Sequence, residues 1–199
     1  MHLKRLVYNK VKKNYLSFLK SQETLSEPFR NKIGQLNKFY YPLCQSIYRT
    51  YIKDKKTKII GLTGGQGSGK STISNILKII LENGFNLKTA IFSIDDFYKT
   101  RKERKIMSNN VSTLFLTRGV PGTHDTKLLK MCLKKLKSSN FRYISIPRFD
   151  KSRDDRSPKK NWQIIKKKQD IVIFEGWCVG VEPQKNKDLI VPINELEKE

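Results

Sequence analysis

Residues Gly64 to Ser71 read Gly-Gly-Gln-Gly-Ser-Gly-Lys-Ser and fit the pattern G-x-x-x-x-G-K-[ST] without a gap. Residue types at this spacing hold phosphate. Glycines let successive backbone N–H groups curl onto a β-phosphate, and the helix that such a loop opens adds the positive end of its dipole. Gly64, Gly65, Gln66, Gly67, Ser68 and Gly69 would form the cradle, with Thr72 in the first helical turn behind it. Lys70 is placed to bridge the β- and γ-phosphates, a catalytic as well as a binding role, and the Ser71 hydroxyl to ligate Mg²⁺. A flexible glycine-rich turn would need neither the apolar run KIIGLT before the motif nor the helical pattern after it, and both are present. Some nucleoside triphosphate binds here.

Three further features bear on what the cradle serves. The guanine-reading pattern N-K-x-D is absent, because NKDL at 186–189 carries its aspartate one place early. The apolar run IVIFEG ends in a single acid, Glu175, followed by Gly176. One acid there suits Mg²⁺ coordination and offers no second carboxylate to activate water, which disfavours a mechanical ATPase. Asp95 follows the second apolar run, in SIDDFY, where a carboxylate near the γ-phosphate can take a proton from an attacking hydroxyl. Capping a loop or standing near the metal are the other roles open to Asp95. Asp96 faces the opposite way along an extended strand and reads as structural.

These residues need a frame. Residues 1–56 read as a helical N-terminal appendage, with Leu3, Leu6, Val7, Val11, Tyr15, Phe18 and Leu19 at helical spacing. Ser26 and Pro28 look like a new helix start, and Pro42 like its break. From about Lys58 the texture becomes alternating strand and helix. KIIGLT reads as a buried strand, and a helix follows from Gly69 to the Asn83-Gly84 stop. TAIFSI is the next strand; a polar stretch without periodicity follows over 99–122, then a helix that Asp125 caps, then the strands YISI and IVIF. The pattern predicts an α/β three-layer P-loop NTPase fold with a mostly parallel sheet over 57–199, and ligands at the carboxyl ends of its strands.

At 199 residues the chain can bury one sizeable core. No apolar run approaches the ~20 residues of a membrane span, so no membrane partner is expected. Cys44, Cys132 and Cys178 make an odd set without a C-x-x-C pair, which fits a reducing, cytoplasmic setting. The formal charge of +23 comes from 41 basic residues against 18 acidic ones, and lysine dominates the basic set. Specific nucleic-acid readers lean on arginine for its two-pronged geometry. A solvated lysine-rich surface and anionic small ligands account for the charge, and no specific nucleic acid is expected.

The segments GLTGGQGSGKST, SIDDFY, RGVPGTHD, IPRFDKSRDDR and FEGWCVG occur in the order and rough spacing of the D-glycerate 3-kinase family of the plant and cyanobacterial type. The chain resembles that family over about residues 59 to 180. The wider P-loop group includes uridine kinase, phosphoribulokinase and bacterial pantothenate kinase. The resemblance implies an ATP-dependent phosphotransferase using Mg²⁺ and converting D-glycerate to 3-phosphoglycerate. Still open beside it are a related kinase for a nucleoside, pantothenate or a sugar phosphate, and a non-catalytic nucleotide- or nucleic-acid-binding module. On this reading Arg118, His124, Arg148, Lys151 and Arg156 face the acceptor's acid group, Asp125 and Asp150 its hydroxyls, and Asp125 is the reserve base. Each of these could equally be a solvated loop charge, and His124 could steady its own loop. Trp177 reads as packing.

Members of that family continue well past the position where this chain stops, and no arginine follows Arg156. The resemblance therefore implies a truncated kinase domain, short of further sheet, a lid arginine and much of the adenine pocket. The charge reading has its own test. Duplex DNA should bind weakly, without sequence preference, and lose affinity steeply between 50 and 200 mM salt, the concentrations over which counterion release acts; nanomolar sequence-dependent binding at physiological salt would overturn it.

Overall fold

The computed structural model describes residues 2–138, 140–192, 195 and 198. In chain order the helices are α1 (His2–Gln22), α2 (Lys32–Gln35), α3 (Tyr41–Ile52), α4 (Lys70–Phe85), α5 (Arg101–Asn110) and α6 (Thr126–Lys137). The strands are β1 (Lys58–Thr63), β2 (Thr89–Ser93), β3 (Ile144–Ile146), β4 (Phe149–Asp150), β5 (Asp155–Arg156), β6 (Gln163–Ile165) and β7 (Ile171–Gly176). Among the described residues no helix is long and apolar enough to cross a membrane.

The central sheet is parallel, in the order β1-β7-β2. Every residue of β7 is buried, as its unbroken apolar run requires of a strand covered on both faces. Its side chains alternate between two cores. Ile171 and Ile173 join Val11, Tyr15, Leu19, Cys44, Ile47, Ile80 and Leu81 beneath α1, α3 and α4. Val172 and Phe174 join Phe92, Phe97, Cys132, Leu136, Ile144 and Ile146 beneath α6. The result is three layers of helix, sheet and helix, and the N-terminal helices share the first core with the sheet. Burial pushes the Cys44 thiol up to about 12 and the Cys132 thiol to about 11, so both are packing residues.

Several sequence expectations need correction. β1 is half-buried where a buried strand is expected, because among the described residues it pairs on one edge only, with β7. No helix starts at Ser26. Its hydroxyl lies 3.1 Å from that of Thr24, which also accepts from the Glu27 amide, while Glu23 accepts from the Phe29 amide. Side-chain bonds of this kind compete with a helical turn, and the helix begins at Lys32 instead, after a left-handed Asn31. Nor does Pro42 break the helix. A π-turn over Leu36–Tyr40 joins α2 to α3, and its wider ladder lies just where proline's missing N–H would interrupt an α-helix.

The stretch 99–122 contains a helix after all. α5 opens with a capping box, the Glu103 amide donating to Thr100 Oγ1 at 3.2 Å and the Thr100 amide to Glu103 Oε2 at 2.7 Å. YISI supplies β3, but it pairs antiparallel with β6 rather than entering the parallel sheet. Inside that pair β4 runs antiparallel to β5. The whole is one nested hairpin arm with IPRFDKSRDDR at its tip, interrupted where Pro147 cannot donate to a ladder.

Leu19, 1% exposed, ties α1 to α4 and the sheet. Leu19→Ala should lower stability by about 2–5 kcal/mol in urea unfolding without changing nucleotide affinity; a loss near zero would show that α1 is not part of the core.

Candidate active site

The three parallel strands end together. Register places Leu62 of β1 and Ser93 of β2 on either side of Glu175. From β1 the chain enters the glycine loop, which α4 closes. Gly67 and Gly69 have φ of 75° and 79°, left-handed values that strain any residue with a Cβ. A Cβ built at either would meet no protein atom within 4 Å, so the backbone at both positions borders open space. Ser68 and Lys70 both donate to the Gly65 carbonyl, at 2.8 and 2.6 Å. The first amides of α4 have no partner within the helix and form its positive end.

Ser71 Oγ donates to Glu175 Oε1 at 2.8 Å. Glu175 is buried, and its Oε2 has no hydrogen-bond partner in the protein. A buried carboxylate oxygen without a donor is costly unless a cation meets it. The hydroxyl and carboxylate together are the oxygen donors that a hard divalent ion takes, the remainder coming from phosphates and water. The residues present therefore fit Mg²⁺.

Beyond β2 the backbone makes a single 3-10 turn over Ile94–Phe97, so Asp95 sits in a turn just past the strand rather than on its last residue. Its carboxylate pairs with Lys151 at 2.9 Å. Burial raises the Tyr98 hydroxyl and the Cys178 thiol and lowers His124; the Asp95 charge adds to the first two shifts and opposes the third. Asp96 closes the turn's capping box and ties it to the hairpin arm through Arg148 Nη1 (3.3 Å) and the Phe149 amide (3.4 Å). Burial raises its carboxyl, and Arg148 pulls it back.

The acceptor-side residues of the sequence reading do come together here, but many are engaged. Arg148 bonds Asp96 and Gln163. Arg156 donates twice to the Tyr98 carbonyl and pairs with Asp125 at 3.4 Å. Asp125 also caps α6, accepting from the Leu128 amide at 3.0 Å. Asp150 folds the arm's tip by accepting from Ser152 and Arg153. Lys151 is the most open, 68% exposed. His124 is buried and stacks on Tyr98 with ring centroids 4.1 Å apart, and its Nε2 has no partner. Trp177 is 46% exposed at the end of β7 and does not pack as expected. Sequence reasoning missed Tyr98, Arg104 and Asp154. The Thr100-x-x-Glu103 box pointed to the helix that carries Arg104, but a lone buried arginine leaves no apolar period to follow.

The chain has relatives among known proteins and solved structures. The chain is 39% identical over 132 residues to the uncharacterised kinase mug58 of Schizosaccharomyces pombe, covering 63% of this chain and 47% of that protein. It is 31% identical over 134 residues to the chloroplastic D-glycerate 3-kinase of Arabidopsis thaliana, covering 63% and 29%. The D-glycerate 3-kinase structure from Cryptococcus neoformans superposes with a TM-score of 0.66 at 33% identity, over 75% of this chain and 55% of that one. The chain thus spans about half the length of the fission-yeast relative and less of the plant one. The phosphoribulokinase / uridine kinase family profile matches residues 59–191, and the chain belongs to that family.

Proposed function

We propose that this chain is the nucleotide-binding core of an ATP-dependent kinase whose acceptor is the hydroxyl of a small acid, D-glycerate first among candidates. The observation that carries the reading is the Ser71–Glu175 pair with its unpartnered carboxylate oxygen, one strand away from Asp95. D-glycerate is supported by the two relatives of that name and by the open cation Lys151 beside Asp95. A nucleoside such as uridine, which is neutral, and a sugar phosphate are the alternatives that the family name offers.

The loop amides of Gly65 to Gly69 and the start of α4 hold the β-phosphate. Lys70 exchanges the Gly65 carbonyl for the β- and γ-phosphate oxygens. Ser71 and Glu175 would hold Mg²⁺, which when bound neutralises charge on the β- and γ-phosphates. Asp95 accepts the proton of the acceptor hydroxyl as its oxygen bonds to the γ-phosphorus; the β–γ bridging P–O bond breaks and ADP leaves. Lys151, held only by an exposed ion pair, moves from Asp95 to the acceptor's acid group. His124, kept neutral by burial, borders the same space without adding charge.

Two substitutions separate binding from transfer. Lys70→Ala should abolish tight ATP–Mg²⁺ binding with the fold intact by circular dichroism, and unchanged affinity would remove the cradle assignment. Asp95→Asn should keep ATP binding while lowering kcat by ~10²–10⁴-fold. Full activity in that variant would pass the base role to Asp125. ADP release across D-glycerate, uridine, pantothenate and ribulose 5-phosphate identifies the acceptor, and a preference for uridine would displace the acid reading.

A further inference from the structure

Arg104, on the inner side of α5, is completely buried. Its Nη1 donates to the Leu116 carbonyl at 2.7 Å, and its Nη2 to the Asp154 carbonyl at 2.6 Å and carboxylate Oδ2 at 2.8 Å. The other carboxylate oxygen of Asp154 pairs with Arg118 Nε at 3.2 Å. Both guanidiniums lie against the Phe149 ring, 6.0 and 5.4 Å from its centroid. Asp154 has a left-handed φ of 52°, a strained value for a residue with a Cβ. Fixing its carbonyl and its carboxylate to one guanidinium over-determines that conformation.

Two guanidiniums share one carboxylate, so this cluster keeps a surplus positive charge. Arg118 Nη1 is buried and has no hydrogen-bond partner in the protein. A charged donor out of water without an acceptor is unfavourable, and an anion with paired oxygens is the complement a guanidinium edge takes. Lysine at position 104 could not replace this arrangement, because a point charge cannot reach Leu116 and Asp154 at fixed angles together.

We propose that Arg118 anchors an acidic group on the phosphoryl acceptor and that Arg104 is its positioning residue, acting through Asp154. The proposal rests on the kinase reading and narrows it. The acceptor carries a carboxylate or phosphate, and a neutral nucleoside lacks the group that Arg118 Nη1 would bind.

The test compares wild type with Arg104→Met, Arg104→Lys and Asp154→Asn. Asp154 is 40% exposed and its carbonyl survives the change to Asn, so that variant keeps a fold even if Arg104→Met does not. In Asp154→Asn the KM for D-glycerate should rise ~10–100-fold while kcat and the KM for ATP stay within ~3-fold. The side-chain Nε–H resonance of Arg118, sharp and slowly exchanging in the wild type by nitrogen-edited NMR, should vanish in Arg104→Met, and Arg104→Lys should not restore it; Asn at 154 keeps an oxygen that can accept from Nε, so that variant is read by its KM. An unchanged acceptor KM in Asp154→Asn, or a persisting resonance in folded Arg104→Met or Arg104→Lys, would overturn the proposal. Faster turnover of uridine than of every acid would overturn the anionic anchor. No turnover with any acceptor would count against the kinase reading instead, and the resonance would then decide the positioning by itself.

Discussion

Glu175 is a carboxylate carried to the end of a strand on which every residue is buried, and the rest of the site is arranged around that burial. Taking an ionised carboxylate out of water costs several kcal/mol unless partners repay it. The protein supplies one donor, the Ser71 hydroxyl, and leaves Oε2 without any. The register of β7 against both neighbours fixes where the charge stands, level with Leu62 before the glycine loop and Ser93 before the Asp95 turn. Packing of Ile171 and Ile173 on one face and Val172 and Phe174 on the other makes that register unambiguous, since a slip by one residue would exchange the two faces. Hydrophobic order in the strand thus becomes electrostatic order at its end.

What was legible in the sequence is what depends on one element at a time. The glycine loop, α4 and β7 are contiguous stretches whose pattern and chemistry coincide, and they stand where the pattern places them, except that α4 runs through the expected Asn83-Gly84 stop to Phe85, where a left-handed Asn86 ends it. Asp125 as the cap of α6 is a local signal of the same kind. The failures have a common cause in competition between local and distant partners. Ser26 is a good capping residue whose hydroxyl Thr24 takes first. YISI is a good strand, but the chain turns back at the arm's tip and gives it an antiparallel partner in β6. α5 escaped because Arg104 is its only buried residue, so the helix is held by hydrogen bonds rather than by an apolar stripe.

The two halves of the site are built by different forces. The nucleotide half is backbone shaped by glycine over an apolar core, and its geometry follows from φ angles and packing. The acceptor half is held by ion pairs and charged hydrogen bonds between loops: Arg148 to Asp96, Arg156 to Tyr98 and Asp125, Arg104 to Asp154. Such contacts are directional but individually modest where solvent reaches them. They suit loops that must be fixed relative to one another yet still admit a polar ligand. They also explain why residue type alone could not sort these cations, since the same guanidinium serves a loop or a ligand according to whether a carboxylate already occupies it.

That sorting changes what the charge of +23 means. Asp95, Asp96, Glu103, Asp125, Asp150, Asp154, Asp155 and Glu175 all lie in or beside the site, close to half of the chain's 18 acidic residues. Arg104, Arg118, Arg148, Arg153 and Arg156 lie among them, while α1 and α6 carry lysine on their outer faces. Most of the net charge therefore lies away from the site, on solvated helix faces and loops alike. At the site the charges nearly balance, with arginine used where a fixed fork is needed and lysine, as at Lys70 and Lys151, where a charge must move. A surplus there is local and specific: among the described residues Arg104 Nε and Arg118 Nη1 are the buried guanidinium nitrogens without a partner, and of the two side chains only that of Arg118 is reached by solvent. Long-range attraction from the lysine-rich surface can raise the rate at which any anion arrives, but on the proposed reading the choice among anions falls to Arg118 and Lys151 and the acids that hold them.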